Sequence, residues 1–128
     1  LLGGTEDMER AEVIVQELGE SVYNACGKYH INQSASLVRQ ANKIISHDTG
    51  LMHIASAFNK DIVSIWGNTI PQFGMSPYMP SGNSKSTIIE VKDLGCRPCT
   101  KIGYSKCPKG HFKCMMDIDV GRIAAAVN

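Results

Sequence analysis

Along the first three quarters of the chain, apolar positions follow two rhythms: short continuous runs, and stripes that recur every three to four residues. The runs are Leu1-Leu2, Ser21 to Ala25, Lys43 to His47 and Ile62 to Trp66. Each is short enough to be a strand buried on both faces. Between them lie amphipathic segments. Met8, Ala11, Ile14, Val15 and Leu18 fall on one helical stripe that Thr5-Glu6-Asp7 opens and Gly19 closes. Leu37, Val38 and Ala41 make a shorter stripe that Ser34 or Ser36 can cap. Leu51, Ile54, Ala55 and Phe58 make a third, entered through the turn Asp48-Thr49-Gly50. Buried runs alternating with amphipathic stripes predict an α/β fold, with four parallel strands and three crossover helices covering the sheet.

Beyond Gly67 the rhythm breaks. Pro71, Pro77, Pro80, Gly82, Asn83 and Ser84 predict a long irregular loop, and Thr87 to Val91 reads as one more strand, at an edge. An irregular cysteine-rich segment over 92–116 follows. A last helix over 118–127, capped by Asp117 or Asp119, carries Ile123, Ala124 and Val127 on its buried face. With 43% of its 128 residues hydrophobic and 20% charged, the chain can form one core and is too short for two ordinary domains, so 1–128 is expected to be a single unit. Beginning inside a predicted strand, it reads as an excised part of a longer protein.

Composition narrows the function. Thirteen basic against twelve acidic residues leave a net charge of +1, which gives no field to attract nucleic acid, and any phosphate binding must be local. No apolar run approaches the roughly 20 residues of a membrane span, so the chain is expected to be soluble.

The chemistry-bearing stretch is Ser46 to Ala57, where a strand hands over to a helix. Ligands of open parallel sheets bind at the carboxyl ends of strands. Glycine at 50 lets a ligand approach the main chain, and the free N–H groups of Thr49, Gly50 and Leu51, at the positive end of the helix dipole, favour a phosphate. Asp48 either caps the helix or holds a ligand hydroxyl. His53 sits on about the same helix face as Thr49, so it is either a structural imidazole or a group reaching back toward a bound anion.

Asp48 to Phe58, the strand that follows and Gly67-Asn68-Thr69-Ile70-Pro71 resemble the donor-site signature of glycosyltransferase family 9, whose members include the bacterial lipopolysaccharide heptosyltransferases. Leu2 to Asp7 resembles that family's Gly-Gly turn with a following carboxylate, Ser36-Leu37 its next Ser-Leu, and Cys96-Arg97-Pro98-Cys99 through Cys114-Met115 its cysteine-rich tail. The resemblance implies a Rossmann-like parallel sheet with flanking helices, the C-terminal domain of a GT-B glycosyltransferase, with the N-terminal acceptor domain absent. It implies an inverting transfer of heptose from an ADP-sugar to the lipopolysaccharide core, in the cytoplasm or peripherally at the cytoplasmic face of the inner membrane. By position, Thr49, Gly50 and Leu51 become the diphosphate cradle, Asp48 and His53 its neighbours, and Glu6 or Asp7 the carboxylate on the ribose diol, with Ser36 and Gly67 also on the donor side. For Glu6 and Asp7 the plain alternative is acids stabilising a first helical turn. No catalytic residue is expected within this chain, because the resemblance assigns the base to the absent domain, and no cofactor is required.

Two rival readings stand beside it. One is a non-catalytic nucleotide or nucleotide-sugar-binding α/β module using the same glycine turn. The other rests on Cys96, Cys99, Cys107 and Cys114, with His111 among them: four thiolates suit tetrahedral zinc, and disulfides or packed thiols suit the same residues.

Overall fold

A computed structural model describes residues 1–79 and 85–128. The expected loop residues Pro80, Gly82, Asn83 and Ser84 lie outside the described residues. The chain divides into two compact units, 1–37 and 38–128.

The first unit holds the helix α1, Met8–Leu18, closed by Gly19 as its pattern predicts. Its stripe is mostly uncovered: Ala11 is buried, whereas Met8, Ile14 and Leu18 are exposed. The two strands expected here are not formed. Gly19–Ser21 is a turn of 3-10 helix instead. The extended segments around residues 1–3 and 23–27 do exchange hydrogen bonds, Leu1 N to Tyr23 O at 2.6 Å, Ala25 N to Leu1 O at 2.8 Å and Gly27 N to Gly3 O at 3.0 Å. So few residues pair that no regular ladder develops. Asn24 is buried, donating to Met8 O and to Glu12 Oε2, which ties this segment to α1.

The helix α2, Ile31–Gln40, spans the boundary between the units. Ser34 and Ser36 lie inside it rather than at its start. The start is made at His30, whose N–H donates to Gln33 Oε1 at 3.0 Å while its carbonyl accepts from Ser34 N at 2.9 Å, an arrangement related to a capping box.

The second unit is built on a parallel sheet of three strands among the described residues, in the order β1 (Lys43–His47), β2 (Asp61–Trp66), β3 (Ser86–Glu90). The helix α3, Gly50–Ala57, makes the crossover between β1 and β2. Met52, Ala55 and Ser56 are its buried residues, so Met52 belongs to the core although the expected stripe omitted it. The central strand β2 has Ile62, Val63, Ser64 and Trp66 buried, which accounts for its largely apolar run. β3 lies at the edge, starting one residue earlier than predicted.

After β3 the chain has little regular structure until α4 (Lys113–Met116) and α5 (Val120–Val127). Asp119 caps α5 as the residue pattern indicates, accepting from Gly121 N and Arg122 N. The expected buried face is shifted: Ile123 and Ala126 are half-buried, and Ala124 and Val127 are exposed. Lys43 Nζ donates to Ala126 O and Val127 O, both at 2.8 Å, so a cation from the start of β1 satisfies the carbonyl end of α5.

Candidate functional site

Parallel strands end together at one rim of a sheet, and the chain leaves that rim at Asp48 after β1 and at Gly67 after β2. The rim carries a cavity of about 270 Å³. His47, Asp48, Ile65, Gly67, Asn68 and Thr69 line it from the strand ends, and Ile102, Tyr104, Phe112 and Met115 line it from the cysteine-rich segment and α4. The Met115 side chain packs against Gly67, and a Cβ there would lie 2.6 Å from Met115 Sδ and displace it.

Asp48 does not cap α3. The N-cap is Thr49, in extended conformation, and no side chain caps the helix. Asp48 Oδ2 instead accepts from the Thr69 hydroxyl at 3.3 Å, which keeps the carboxylate at the cavity. The Thr49 and Ser46 hydroxyls are 3.1 Å apart. Among the described residues, the N–H groups of Thr49, Gly50 and Leu51 have no hydrogen-bond acceptor. Gly50 is exposed, and a Cβ built on it meets nothing within 4 Å. Nothing in the chain's own packing demands glycine at 50. His53 is exposed in the same helix and Leu51 is half-buried.

Of the expected donor-side residues, Asp48 and Gly67 line the cavity, while Thr49, Gly50, Leu51 and His53 follow Asp48 along the chain without lining it. Glu6, Asp7 and Ser36 belong to the first unit. There Asp7 Oδ2 accepts from Gly4 N at 3.1 Å, and the Glu6 and Asp7 carboxylates fold back over the Gly3-Gly4 turn. Ser36 is exposed on α2.

Asn68 and Thr69 fall within the Gly67–Pro71 stretch of the donor-site signature, whereas Tyr104, Phe112 and Met115 were not expected at the site. The first two follow β2 at the carboxyl rim, so the rule that singled out Asp48 also points to them. The other three carry no periodic signal.

All five cysteines are free thiols. Among the described residues, no three Cys, His, Asp or Glu side chains are gathered as a metal ion requires, so the four tail thiols do not form a tetrahedral ligand set as placed. Cys96 Sγ lies 3.7 Å from His111 Nε2. The Phe112 N–H donates to Cys107 Sγ at 3.3 Å and, with further backbone amides of 109–111, holds that thiol below its ordinary pKa. Burial pushes Cys114 up, helped by the nearby Cys99, Cys107 and Cys96, and burial also raises Cys26, helped by Asp7. A lowered pKa means more thiolate at neutral pH, and the thiolate is the reacting form. Iodoacetamide at neutral pH is therefore expected to label Cys107 well before Cys26 and Cys114, as read by peptide mass mapping. Equal labelling of the three would show that the amides around Cys107 do not stabilise its thiolate. Elemental analysis of the purified chain decides the zinc expectation.

Residues 1–109 match the sequence model of glycosyltransferase family 9, the heptosyltransferases. The chain belongs to glycosyltransferase family 9. Within that family it is 35% identical, over 71% of its length, to lipooligosaccharide heptosyltransferase 2 of Haemophilus influenzae, covering 26% of that protein. It is 31% identical, over its whole length, to lipooligosaccharide heptosyltransferase 2 of Haemophilus ducreyi, covering 36% of it. This family 9 chain thus spans about a quarter to a third of the curated relatives it matches. Its fold is similar to that of a solved family 9 glycosyl transferase from Veillonella parvula, with a TM-score of 0.69, 25% identity, and 98% of this chain against 34% of the other. The E. coli ADP-heptose lipopolysaccharide heptosyltransferase II shares the fold with a TM-score of 0.67 at 23% identity, over 100% of this chain and 34% of that one.

Proposed function

We propose that this family 9 chain is the donor-binding part of an inverting glycosyltransferase that moves heptose from ADP-heptose to the inner core of lipopolysaccharide. The single observation that carries the reading is the start of α3, where three N–H groups without acceptors among the described residues and an exposed glycine follow the cavity carboxylate Asp48 at the carboxyl rim. Relatives named heptosyltransferase 2 supply the sugar class.

In such a transfer an acceptor hydroxyl attacks the anomeric carbon while ADP departs, and negative charge grows on the leaving diphosphate. Fixed amides at the positive end of a helix dipole stabilise that charge without reorganising, which lowers the barrier. Thr49, Gly50 and Leu51 take this role, with Asp48, His53 and Gly67 toward the sugar and phosphates. Glu6 or Asp7 is assigned to the ribose diol, whose two hydroxyls a carboxylate can accept together, and Ser36 joins the donor side. The base that takes the acceptor's proton is assigned to a facing domain. The reaction as read uses no cofactor. Among the described residues no helix is long and apolar enough to cross a membrane, and contact with the inner membrane is proposed as peripheral, on the cytoplasmic face.

The test is NMR titration of this chain with ADP and, separately, with adenosine. The expected result is ADP-dependent movement of the Thr49, Gly50 and Leu51 amide resonances that adenosine does not reproduce. Unmoved resonances at those three residues, or equal responses to both compounds, would remove the phosphate cradle and the reading with it.

A further inference from the structure

Arg97 lies between two cysteines of the tail and does not line the cavity at the rim, yet its guanidinium makes four hydrogen bonds. Its side chain is only 7% exposed. Nε donates to Gly67 O, Nη2 to Thr69 O at 3.0 Å, Nη1 to Val91 O at 3.0 Å, and Nη2 also pairs with Glu90 Oε2 at 2.7 Å. A guanidinium withdrawn from water needs both a counter-charge and acceptors for its N–H groups. Glu90 provides the first and the three carbonyls the second.

Gly67 and Thr69 belong to the turn that leaves β2 and walls the cavity, whereas Glu90 ends β3 and Val91 follows it. The middle carbonyl of the turn, Asn68 O, accepts from Cys99 N at 3.0 Å. Three successive carbonyls are therefore all drawn toward the Arg97–Cys99 segment. The side chains of the turn are engaged elsewhere: Asn68 Nδ2 donates to Tyr104 O at 2.7 Å, and the Thr69 hydroxyl donates to Asp48 Oδ2 at 3.3 Å. A connected path runs from the guanidinium through the main chain of the turn to the Thr69 hydroxyl and the Asp48 carboxylate.

We propose that Arg97 is a positioning residue that sets the shape of the Gly67–Thr69 turn, so that Thr69 holds Asp48 in place at the cavity. Its effect on donor binding rests on the function proposed above; its effect on the turn does not. Arginine is needed because its planar fork addresses several acceptors in fixed directions, and the ammonium of lysine has the charge without the fork.

The experiment compares this chain with its Arg97→Lys, Arg97→Met and Glu90→Gln variants by amide NMR, hydrogen exchange and ADP titration. In Arg97→Lys the β1 and β2 resonances are expected to stay in place while the 67–69 amides shift and exchange about tenfold faster, with ADP affinity down about tenfold. Glu90→Gln keeps an acceptor for the guanidinium and the three carbonyl bonds but removes the counter-charge, so the chain is expected to lose stability while the 67–69 amides stay nearly in place. Turn resonances unmoved in both Arg97 variants would overturn the proposal, and so would a released turn with undiminished ADP affinity. If Arg97→Met does not fold, Arg97→Lys decides alone, since it retains the charge. A released turn in a chain whose unsubstituted form ignores ADP would uphold Arg97 as the clamp and sink the donor-binding reading instead.

Discussion

Gly50→Trp is expected to fold at least as well as the unsubstituted chain and to lose ADP. A Cβ at 50 meets no atom within 4 Å, and glycine is a poor helix former at the start of α3, so the substitution is expected to stabilise the fold by up to about 0.5–1 kcal/mol. The same side chain occupies the space that a phosphate needs in order to reach the Thr49, Gly50 and Leu51 amides. Losing two charge-assisted hydrogen bonds weakens binding by roughly a hundredfold or more. NMR titration with ADP measures the affinity and urea denaturation the stability. The opposite signs are what make the test selective: a variant that loses binding because it unfolds moves both quantities the same way. Undiminished ADP affinity would show that the phosphate does not sit at this helix start.

Trp66→Ala is expected to produce the largest loss of stability from a single substitution in the second unit. Trp66 ends β2 with 0% exposure, and its indole N–H donates to Ser64 Oγ at 3.0 Å from two residues earlier in the strand. Ser64 is itself 0% exposed and its hydroxyl donates onward to Thr87 O of β3 at 3.4 Å. Removing the indole leaves a cavity in the centre of the sheet's packing, which costs about 3–5 kcal/mol. Against a total stability of roughly 5–15 kcal/mol that is a large fraction. The urea midpoint followed by circular dichroism is expected to fall by roughly 2 M. Circular dichroism is the suitable probe because Trp66 is the chain's one tryptophan. Trp66→Phe keeps most of the apolar volume and is expected to cost much less, chiefly the lost N–H donor. Equal losses for the two variants would mean that the bond to Ser64, rather than packing, holds this region.

How much could be read in advance varied with how local each cause is. β2 was legible because a strand covered on both faces is apolar at most positions, and Asp119 was legible as a cap because an N-cap depends on neighbours two and three residues away. The start of α2 was misplaced because serine is a good cap by type, whereas His30 and Gln33 make the arrangement by reaching for each other. The pairing of residues 1–3 with 23–27 followed the predicted pattern in sequence, but too few residues met to make strands.

At the site, the strand-to-helix junction was visible in Asp48-Thr49-Gly50, and so was Gly67. Arg97, Tyr104 and Phe112 were not. Arg97 meets Gly67 and Thr69 across about thirty positions of irregular chain, where neither helical nor strand periodicity constrains which residues meet.

The sequence by itself determined the α/β rhythm, the rim at which Asp48 leaves β1, and the exposed glycine that follows, since each rests on interactions within a few residues. Only the tertiary structure decided that Asp48 holds Thr69 instead of capping a helix, and that a buried guanidinium in the cysteine-rich segment anchors the opposite wall. Those outcomes depend on long-range packing, which fixes partners by space rather than by spacing along the chain.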